Sequence, residues 1–347
     1  MKFSNKLISW YIENKREMPW RQTTDPYRIW LSEIILQQTR VAQGLPYYLK
    51  FTETFPTVHD LANASEEEVL KLWQGLGYYS RGRNLHAAAK YIVEDCEGIF
   101  PNTYKELLKL KGVGDYTASA IASISFNEPT AVVDGNVYRV LSRYFGIDTP
   151  INSTQGIKEF KALAQELIDI EQPANFNQAI MEFGAIQCKP QNPYCLHCIF
   201  NDSCVALQKN SINTLPVKLK KIKVKNRYLN YLVFKSSDHK TIIERRTGKG
   251  IWQGLYQFPM IEGEFDVSRF RESELFLKKT AAYTIKSIEQ HNIKPIVHKL
   301  SHQHLHTIFW IIDVEKLDDT ALEIKTLTSH PVPVLIEKFI VAYFNLK

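Results

Sequence analysis

The chain has 347 residues, which at roughly 150 residues per domain predicts two domains. Hydrophobic residues make up 44% and charged residues 23%, as in ordinary globular proteins, which excludes disorder over most of the chain. The formal charge of +6 favours a polyanionic partner only if the excess is localised. No apolar run approaches a membrane helix and the first residues lack a signal core, so we expect a cytoplasmic protein, nucleoid-associated if bacterial, with no membrane partner.

Helical patterns dominate residues 2–207. Asp25 and Pro26 form a typical helix start, because the carboxylate can cap the first turn and proline fits the first helical position. The helix predicted over 26–39 carries one apolar stripe, made of Trp30, Leu31, Ile34 and Ile35. Further helices are predicted over 42–55, 66–73, 82–94, 115–126, 135–145, 155–170 and 175–187.

The residue composition and the predicted secondary structure change after residue 207. Residues 208–227 contain seven Lys or Arg and no acidic residue, which predicts a basic linker and leaves a charge of −1 for the rest of the chain. Strands are predicted over 228–235, 241–246, 296–300 and 304–314, and helices over 266–278 and 334–345. The sequence therefore predicts a helical domain (1–207), the linker (208–227) and a smaller α+β domain (228–347).

Four of the five cysteines fall within 17 residues, at Cys188, Cys195, Cys198 and Cys204. In a cytosolic protein such a group indicates metal binding or catalysis before disulfides. Four thiolates on one loop suit a tetrahedral zinc ion or a cubane iron–sulfur cluster. The spacing lacks the two short pairs, separated by a longer finger, of most zinc sites, so an iron–sulfur cluster is favoured and zinc is the alternative. Cys96 is expected to be a buried apolar side chain.

Two glycines open into an apolar helix at Gly112-Val113-Gly114. Glycines permit a close approach of the backbone and a helix N-terminus offers free amide donors, so a phosphate is the natural ligand, with an ordinary helix–helix turn as the alternative. Asp134 directly precedes another helix, where it is either a cap or a buried carboxylate facing a developing cation.

Glu33 lies off the apolar stripe of its helix. A carboxyl group bordering apolar surface tends to have a raised pKa, as a general acid needs, although a surface glutamate is the simpler interpretation. Residues 75–83 combine glycines, paired tyrosines and two arginines. This composition suits a wedge in a base stack held by cations on phosphates, or equally core packing.

Together these segments resemble the MutY-type adenine DNA glycosylases of the endonuclease III, or helix–hairpin–helix, superfamily. The resemblance rests on residues 31–39, 75–83, 112–117 and 133–137 and on the four cysteines. It implies an all-α helix–hairpin–helix glycosylase domain with one 4Fe-4S cluster held by the loop 188–204, followed by a smaller α+β MutT-like domain.

The resemblance also implies an activity: hydrolysis of the N-glycosidic bond of adenine mispaired with 8-oxoguanine or guanine in double-stranded DNA, after base flipping. Glu33 would protonate the adenine and Asp134 would stabilise an oxocarbenium-like sugar, while Tyr116 and Asn136 match pocket positions. The superfamily's bifunctional lyases carry a lysine where this chain has Tyr116, so a monofunctional enzyme is expected.

Residues implied to contact DNA are Gln38, Thr39, Tyr78, Arg81, Arg83, Gly112, Val113, Gly114, Ser301 and His302. Gln38 and Tyr78 match residues that fill or wedge the stack, and the hairpin matches the element that grips the backbone. Ser301 and His302 match a motif that recognises oxidised guanine, in which Leu300 replaces an aromatic residue. His302, His304 and His306 would share a strand face, as hydrogen-bonding or solvated groups rather than metal ligands.

The segment 254–259 is similar to part of the MutT-like domain, but residues 271–274 offer too few carboxylates for the magnesium site of a hydrolase. Guanine binding without hydrolysis is therefore expected, and a nucleotide-pool hydrolase is disfavoured. The remaining alternatives are a glycosylase for oxidised pyrimidines or mispaired thymine, and a cluster-based electron carrier or redox sensor. A monomer is expected, with a linker that can contact other repair or replication proteins.

Overall fold

The computed structural model describes residues 2–219, 224–266 and 269–346. The chain divides into two compact units: Met1–Asn63 with Asn84–Lys220, and Ala64–Arg83 with Lys221–Lys347. The first unit is helical and the second contains the β-sheets, which confirms the predicted fold class. Within the described ranges, no helix is both long and apolar enough to cross a membrane.

The α-helices of the described residues are, in chain order, α1 (Phe3–Asn14), α2 (Pro26–Leu36), α3 (Val41–Thr54), α4 (Val58–Asn63), α5 (Glu66–Leu72), α6 (Ser80–Asp95), α7 (Tyr104–Leu107), α8 (Asp115–Phe126), α9 (Gly135–Phe145), α10 (Thr154–Leu167), α11 (Pro173–Glu182), α12 (Val205–Gln208), α13 (Glu274–Thr280) and α14 (Val334–Phe344). Among the described residues each predicted helix has an observed counterpart, but α1, α4, α7 and α12 were not predicted, and the helix predicted over 266–278 begins only at Glu274. A π-helical turn, Phe183–Gln187, continues α11.

Local signals in the sequence account for where the helices of the site begin. The Asp25 side chain accepts a hydrogen bond from the Tyr27 amide (3.0 Å), and Pro26 occupies the first position of α2. The apolar stripe of α2 is buried as predicted. Around α9, α10 and α11 the first unit buries a core that includes Phe160, Phe176 and Phe183. This packing holds α2, α8, α9 and α11 around the site described below.

The strands of the second unit are β1 (Lys225–Ser236), β2 (Lys240–Thr241), β3 (Glu244–Arg245), β4 (Tyr256–Gln257), β5 (Met260–Glu262), β6 (Ile285–Gln290), β7 (Ile296–Lys299), β8 (Gln303–Val314) and β9 (Leu322–Glu323). The main sheet has the order β5-β1-β8-β6, and β7 also pairs with β8. The central pair, β1 and β8, is parallel over twelve residue pairs. The other pairs of this sheet are antiparallel.

Alternate residues of β8 pack against different helical segments. Phe309 stacks on Phe339 of α14 with 4.0 Å between ring centroids. Its neighbour Trp310 points to the other face and stacks on Phe270, just before α13, at 4.5 Å. Both faces of the main sheet are therefore covered, as expected for a central parallel strand pair.

The predicted linker 208–227 divides between the two units. Leu215 is buried, and the Ile151 amide donates to the Val217 carbonyl at 3.0 Å, so this part packs in the first unit. Residues 225–227 belong to β1, where the Arg227 guanidinium pairs with Glu262 and so offsets one of the charges that suggested a linker. Residues 220–223 lie outside the described residues.

Residues 64–83 pack with the second unit, which the sequence did not predict. Glu66 of α5 forms an ion pair with Arg245 (2.8 Å), and the Tyr256 hydroxyl donates to the Glu67 carboxylate (3.2 Å). The Lys71 ammonium donates to the His330 carbonyl at 3.2 Å. These contacts join positions roughly 180 residues or more apart in sequence, so no local pattern could have indicated them.

Candidate active site

A cavity of about 730 Å³ in the helical unit, here called the Glu33 cavity, collects side chains from several helices. The predicted catalytic residues Glu33, Tyr116, Asp134 and Asn136 all line it. They come from α2, α8 and the start of α9, so the four residues meet although 103 positions separate the first from the last. Thr39 also lines this cavity, whereas Gln38 is exposed just after α2 with a left-handed backbone (φ +55°).

Glu33 sits in a mainly apolar part of the cavity, beside Ile29 and Leu36. Burial raises the pKa of its carboxyl group to about 7, and the negative charge of Asp134 adds to the shift. A hydrogen bond with Tyr116 and the positive charge of Arg21 act in the opposite direction. Glu33 can therefore hold a proton near neutral pH.

Asp134 is the N-cap of α9, and its carboxylate has more hydrogen-bond donors than that of Glu33. The amides of Asn136 and Val137 both donate to Oδ1 at 2.8 Å, and Asn136 Nδ2 donates to Oδ2 at 2.8 Å. Burial raises the pKa of Asp134 above its usual value, and these three N–H groups and the charge of Arg139 oppose only part of that rise. The cap and the functional interpretation of Asp134 are thus compatible, because one oxygen caps the helix while the group lines the cavity.

The Tyr116 hydroxyl contacts two other side chains. It is hydrogen-bonded to the Glu33 carboxyl group and contacts Met181 Sδ at 3.1 Å. Burial, followed by the charges of Glu33 and Asp134, raises the pKa of Tyr116 well above its usual value. This side chain is therefore a neutral hydrogen-bonding group, and it offers no amine nucleophile.

A buried ion-pair network in the same cavity was missed by the sequence reasoning. Glu182, which is 1% exposed, binds Arg16 Nε at 2.7 Å and Arg21 Nη2 at 2.7 Å. The two arginines hold the pKa of Glu182 down at about 2, against the effect of burial. More than 160 residues separate the partners, so only the fold brings them together.

The sequence also did not predict a role for Arg139 of α9. Its guanidinium donates to Asn136 Oδ1 (2.8 Å) and to the carbonyls of Gly184 (2.6 Å) and Cys188 (2.7 Å). Arg139 thereby connects the Asp134 end of the Glu33 cavity with the first residue of the cysteine loop.

The four clustered cysteines line one smaller cavity of about 30 Å³, here called the cysteine cavity, together with Arg143. Burial raises the pKa of Cys198 to about 11, and the other three thiols contribute to that shift. Arg143 Nη1 lies 3.5 Å from Cys188 Sγ, and the Phe200 amide donates to Cys198 Sγ at 3.4 Å. In the part of the chain that the structure describes, no three His, Cys, Asp or Glu side chains are grouped closely enough to hold a metal ion.

The Gly112–Gly114 hairpin connects α7 and α8. Gly112 has a left-handed backbone (φ +83°), and a Cβ there would lie 2.7 Å from Asn84 Cβ, so both conformation and space require glycine. Gly114 is the exposed N-cap of α8 and would leave a Cβ free of contacts, while Val113 is buried. The hairpin thus presents backbone amides at a helix N-terminus, the arrangement that binds phosphate.

The second unit contains its own pocket of about 540 Å³, here called the Ser301 pocket. It brings Tyr78, on the segment 64–83, together with Leu300, Ser301 and His302, on the turn between β7 and β8. Tyr78 is 45% exposed, and its hydroxyl lies 2.6 Å from Ser301 Oγ. Two predicted DNA-contacting groups that lie 223 positions apart are therefore in direct contact.

Arg81 and Arg83 differ from the phosphate-holding cations that the sequence predicted. Arg81 is buried, with its guanidinium 5.2 Å from the Trp73 ring and 5.6 Å from the Tyr78 ring, and burial lowers its pKa to about 10. Arg83 is half-buried and donates to the Gln253 carbonyl at 2.5 Å. This arrangement favours a role in holding the Tyr78 segment in place.

Comparisons with known proteins give matches over both the helical and the sheet-containing parts of the chain. A family model described as HhH-GPD superfamily base excision DNA repair protein matches residues 31–169, and a NUDIX domain model matches residues 230–342. The adenine DNA glycosylase of Buchnera aphidicola subsp. Baizongia pistaciae (strain Bp) is 34% identical over 315 residues, which are 89% of this chain and 86% of the relative. The chain belongs to the MutY-type adenine DNA glycosylase family. Both parts of the family's architecture are therefore present.

Other relatives of this MutY-type chain match only part of it. The adenine DNA glycosylase of Mus musculus is 46% identical over 226 residues, which are 62% of this chain and 44% of the mouse protein. The chain thus matches less than half the length of that relative. A solved thermostable thymine-DNA glycosylase is 31% identical with a TM-score of 0.56, covering 60% of this chain and 95% of its own.

Proposed function

We propose that this MutY-type protein is a monofunctional glycosylase that hydrolyses the N-glycosidic bond of adenine mispaired with 8-oxoguanine or guanine in duplex DNA. The observation that carries the proposal is one cavity with two carboxyl groups in contrasting environments. Glu33 lines the cavity one helical turn from Ile29 and Leu36, whereas Asp134 accepts three N–H hydrogen bonds. Burial raises the pKa of both carboxyl groups, but the three N–H groups favour the anion of Asp134, so Glu33 is suited to act as the acid and Asp134 as the anion.

Glu33 supplies the proton. Adenine is a poor leaving group as an anion, so cleavage of its bond to C1′ requires protonation of the ring. With its pKa raised to about 7, Glu33 can keep a proton near neutral pH and is a competent donor. We assign to Tyr116, which hydrogen-bonds this carboxyl group, the role of orienting it.

Asp134 supplies the negative charge. As the base departs, positive charge develops on the sugar, and a carboxylate held by three N–H groups stabilises it without reorganising. The chain offers no lysine in place of Tyr116 for a covalent sugar intermediate, so we assign water as the nucleophile and release of an abasic site as the outcome.

The base must leave the duplex to reach this cavity. We assign the grip on the DNA backbone to the amides of the Gly112–Gly114 hairpin, and roles in filling or wedging the base stack to Gln38 and, separately, to Tyr78. Ser301 and His302 are assigned to the guanine partner. The hydrogen bond between the Tyr78 and Ser301 hydroxyls supports the assignment within the second unit, because both groups line the same pocket.

We further propose that Cys188, Cys195, Cys198 and Cys204 hold one 4Fe-4S cluster. The support is chemical: four thiols line one cavity, and a guanidinium and a backbone amide are directed at sulfur atoms, as N–H groups are in cluster sites. The described thiols are not grouped to hold a single metal ion, so the proposal rests on this donor set and not on coordination geometry. The cluster would supply a structural crosslink for the loop. Anaerobically purified protein with broad visible absorbance and about four irons per chain would support it; one zinc and no colour would refute it.

The glycosylase proposal is tested by single-turnover release of adenine from a duplex with a single A:8-oxoguanine pair, compared with C:8-oxoguanine and T:G pairs. We expect adenine release from the first substrate and no strand cleavage before treatment with alkali. Release of thymine from the T:G duplex, or strand cleavage at the rate of base release, would contradict the proposal.

A further inference from the structure

The segment that carries Asp134 into the cavity has no regular secondary structure between α8 and α9. Side chains of α10 and α11 satisfy its backbone groups instead. Gln165 accepts from the Ala131 amide (2.9 Å) and donates to the Pro129 carbonyl (2.7 Å). The buried Asn177 accepts from the Val132 amide (3.1 Å) and donates to the Thr130 carbonyl (2.8 Å).

Lys161 of α10 completes this set and is its only charged member among the described contacts. Its ammonium group donates to the Ala131 carbonyl at 2.6 Å. It also reaches the first turns of α8, where it contacts Asp115 Oδ2 at 3.0 Å and Ser119 Oγ at 3.0 Å. One half-buried cation thus joins the segment before Asp134 to the helix that begins at the hairpin.

The position of Asp115 gives Lys161 a second role, at the hairpin. Asp115 directly follows Gly114, so its carboxylate lies at the helix N-terminus to which the proposed function assigns a DNA phosphate. An unpaired carboxylate there would repel that phosphate. Both of its oxygens are engaged instead, because the Tyr104 hydroxyl donates to Oδ1 at 2.5 Å and Lys161 binds Oδ2. The arrangement turns the carboxylate towards protein donors.

We propose that Lys161 is a positioning residue that couples the grip on the DNA backbone to the catalytic carboxylate. It neutralises Asp115 beside the hairpin and fixes the Ala131 carbonyl three residues before Asp134. The inference rests on the proposed function, because it assumes that the hairpin binds DNA and that Asp134 stabilises the sugar.

The two actions of Lys161 are separable by a double-mutant cycle of Lys161→Met, Asp115→Asn and the double variant. Lys158→Met is the matched control, since Lys158 is exposed one turn earlier on the same helix. For each full-length protein two quantities are measured: the Kd for a duplex with a tetrahydrofuran abasic analogue opposite 8-oxoguanine, and the single-turnover rate of adenine release at saturating enzyme. Thermal unfolding checks that each variant is folded.

We expect Lys161→Met to weaken binding about 3- to 10-fold at low salt, because Asp115 loses its ion-pair partner and its negative charge is no longer neutralised beside the hairpin. The loss should shrink at 0.5 M salt, a dependence that a merely structural defect would not show. Adding Asp115→Asn should restore the affinity but not the rate, which we expect to stay about 3- to 10-fold low because the contact with Ala131 is still missing.

The outcomes distinguish failure of this inference from failure of the proposed function. If the wild-type protein releases adenine but Lys161→Met matches Lys158→Met in both affinity and rate, the role of Lys161 is refuted. If Asp115→Asn fails to restore affinity in the double variant, the charge-neutralising half is refuted. If the wild-type protein neither binds the duplex nor releases adenine, the proposed function itself fails.

Discussion

The Glu33 cavity and the Ser301 pocket hold their polar groups in opposite ways. In the Glu33 cavity burial raises the pKa of both carboxyl groups, and Asp134 is held by backbone and side-chain N–H groups. In the Ser301 pocket the side chains of Tyr78, Ser301 and His302 are exposed, and the Tyr78 and Ser301 hydroxyls are hydrogen-bonded to each other. Proton transfer requires a preorganised, dehydrated site, whereas reading a base requires groups that can exchange partners.

This comparison predicts that substitutions in the two sites will change different measured quantities. Substitutions in the Glu33 cavity should lower the rate of adenine release at saturating enzyme with little change in DNA affinity. Substitutions in the Ser301 pocket should change discrimination between 8-oxoguanine and guanine with little change in the rate on the preferred pair.

Glu33→Gln should have the largest effect. The amide keeps the shape of the side chain but has no acidic proton, so we expect the single-turnover rate to fall about 10²- to 10⁴-fold. The Kd for the tetrahydrofuran duplex should stay within about threefold of wild type, because charge-neutral hydrogen bonding is retained. A Glu33→Gln protein with the wild-type rate would rule out Glu33 as the acid.

Asp134→Asn should come next. The substitution removes the negative charge from beside the sugar while an amide oxygen can still accept from the Asn136 and Val137 amides, so α9 should keep its cap. We expect a rate about 10²- to 10³-fold lower, the usual magnitude for a lost electrostatic contact in a transition state. Circular dichroism and thermal unfolding serve as the folding control. If the variant lost helix content and thermal stability together with its activity, capping of α9 would be the only role shown for Asp134.

The pH dependence of the rate should be smaller but diagnostic. Because the pKa of Glu33 is raised to about 7, the acid is protonated below that pH and loses its proton above it. The second-order rate at limiting enzyme, which reports the free protein, should be nearly flat below pH 7 and fall about tenfold per pH unit above it. The residual rate of Glu33→Gln should lack this step. A break near pH 4.5 would mean that burial does not shift this group.

The sequence predicted much of the Glu33 cavity because its signals are local. The Asp25-Pro26 start sets the phase of α2 and so the position of Glu33, and the capping position of Asp134 is legible before α9. The ion pairs of Glu182 with Arg16 and Arg21 could not be predicted. No pattern near Glu182 in the sequence distinguishes it from a surface glutamate, because both of its partners come from the N-terminal segment.

The second unit was less predictable, for two physical reasons. Strand β6 (Ile285–Gln290) is half-exposed and its apolar residues are few, so it lacks the alternation of a strand with one buried face. The segment 64–83 belongs to this unit only through contacts with residues far along the chain, such as Glu66 with Arg245. Arg81, which composition alone had suggested as a phosphate contact, is buried, with its guanidinium over the Trp73 and Tyr78 rings of its own segment.

Because residues 64–83 pack in the second unit, removing residues after 220 would also strip the partners of Tyr78. Point substitutions therefore test the Ser301 pocket more cleanly than truncation. Ser301→Ala removes the hydroxyl that we propose to hydrogen-bond the guanine partner, so we expect the preference for A:8-oxoguanine over A:G, measured as a ratio of Kd values, to fall about fivefold. The single-turnover rate on A:8-oxoguanine should change less than twofold on the same reasoning.

Tyr78→Phe supplies the matched variant, because it deletes the hydroxyl that lies against Ser301 while keeping the ring. If Tyr78 acts only as a wedge, the phenylalanine protein should discriminate as well as the wild type. If the Tyr78 hydroxyl orients Ser301 for the base, we expect about half of the free-energy loss seen for Ser301→Ala, and no further loss when the two substitutions are combined. A large fall in the rate at saturating enzyme for either variant would show that the two sites are not divided as proposed, since the groups that move protons would then depend on the hydroxyls that read the base.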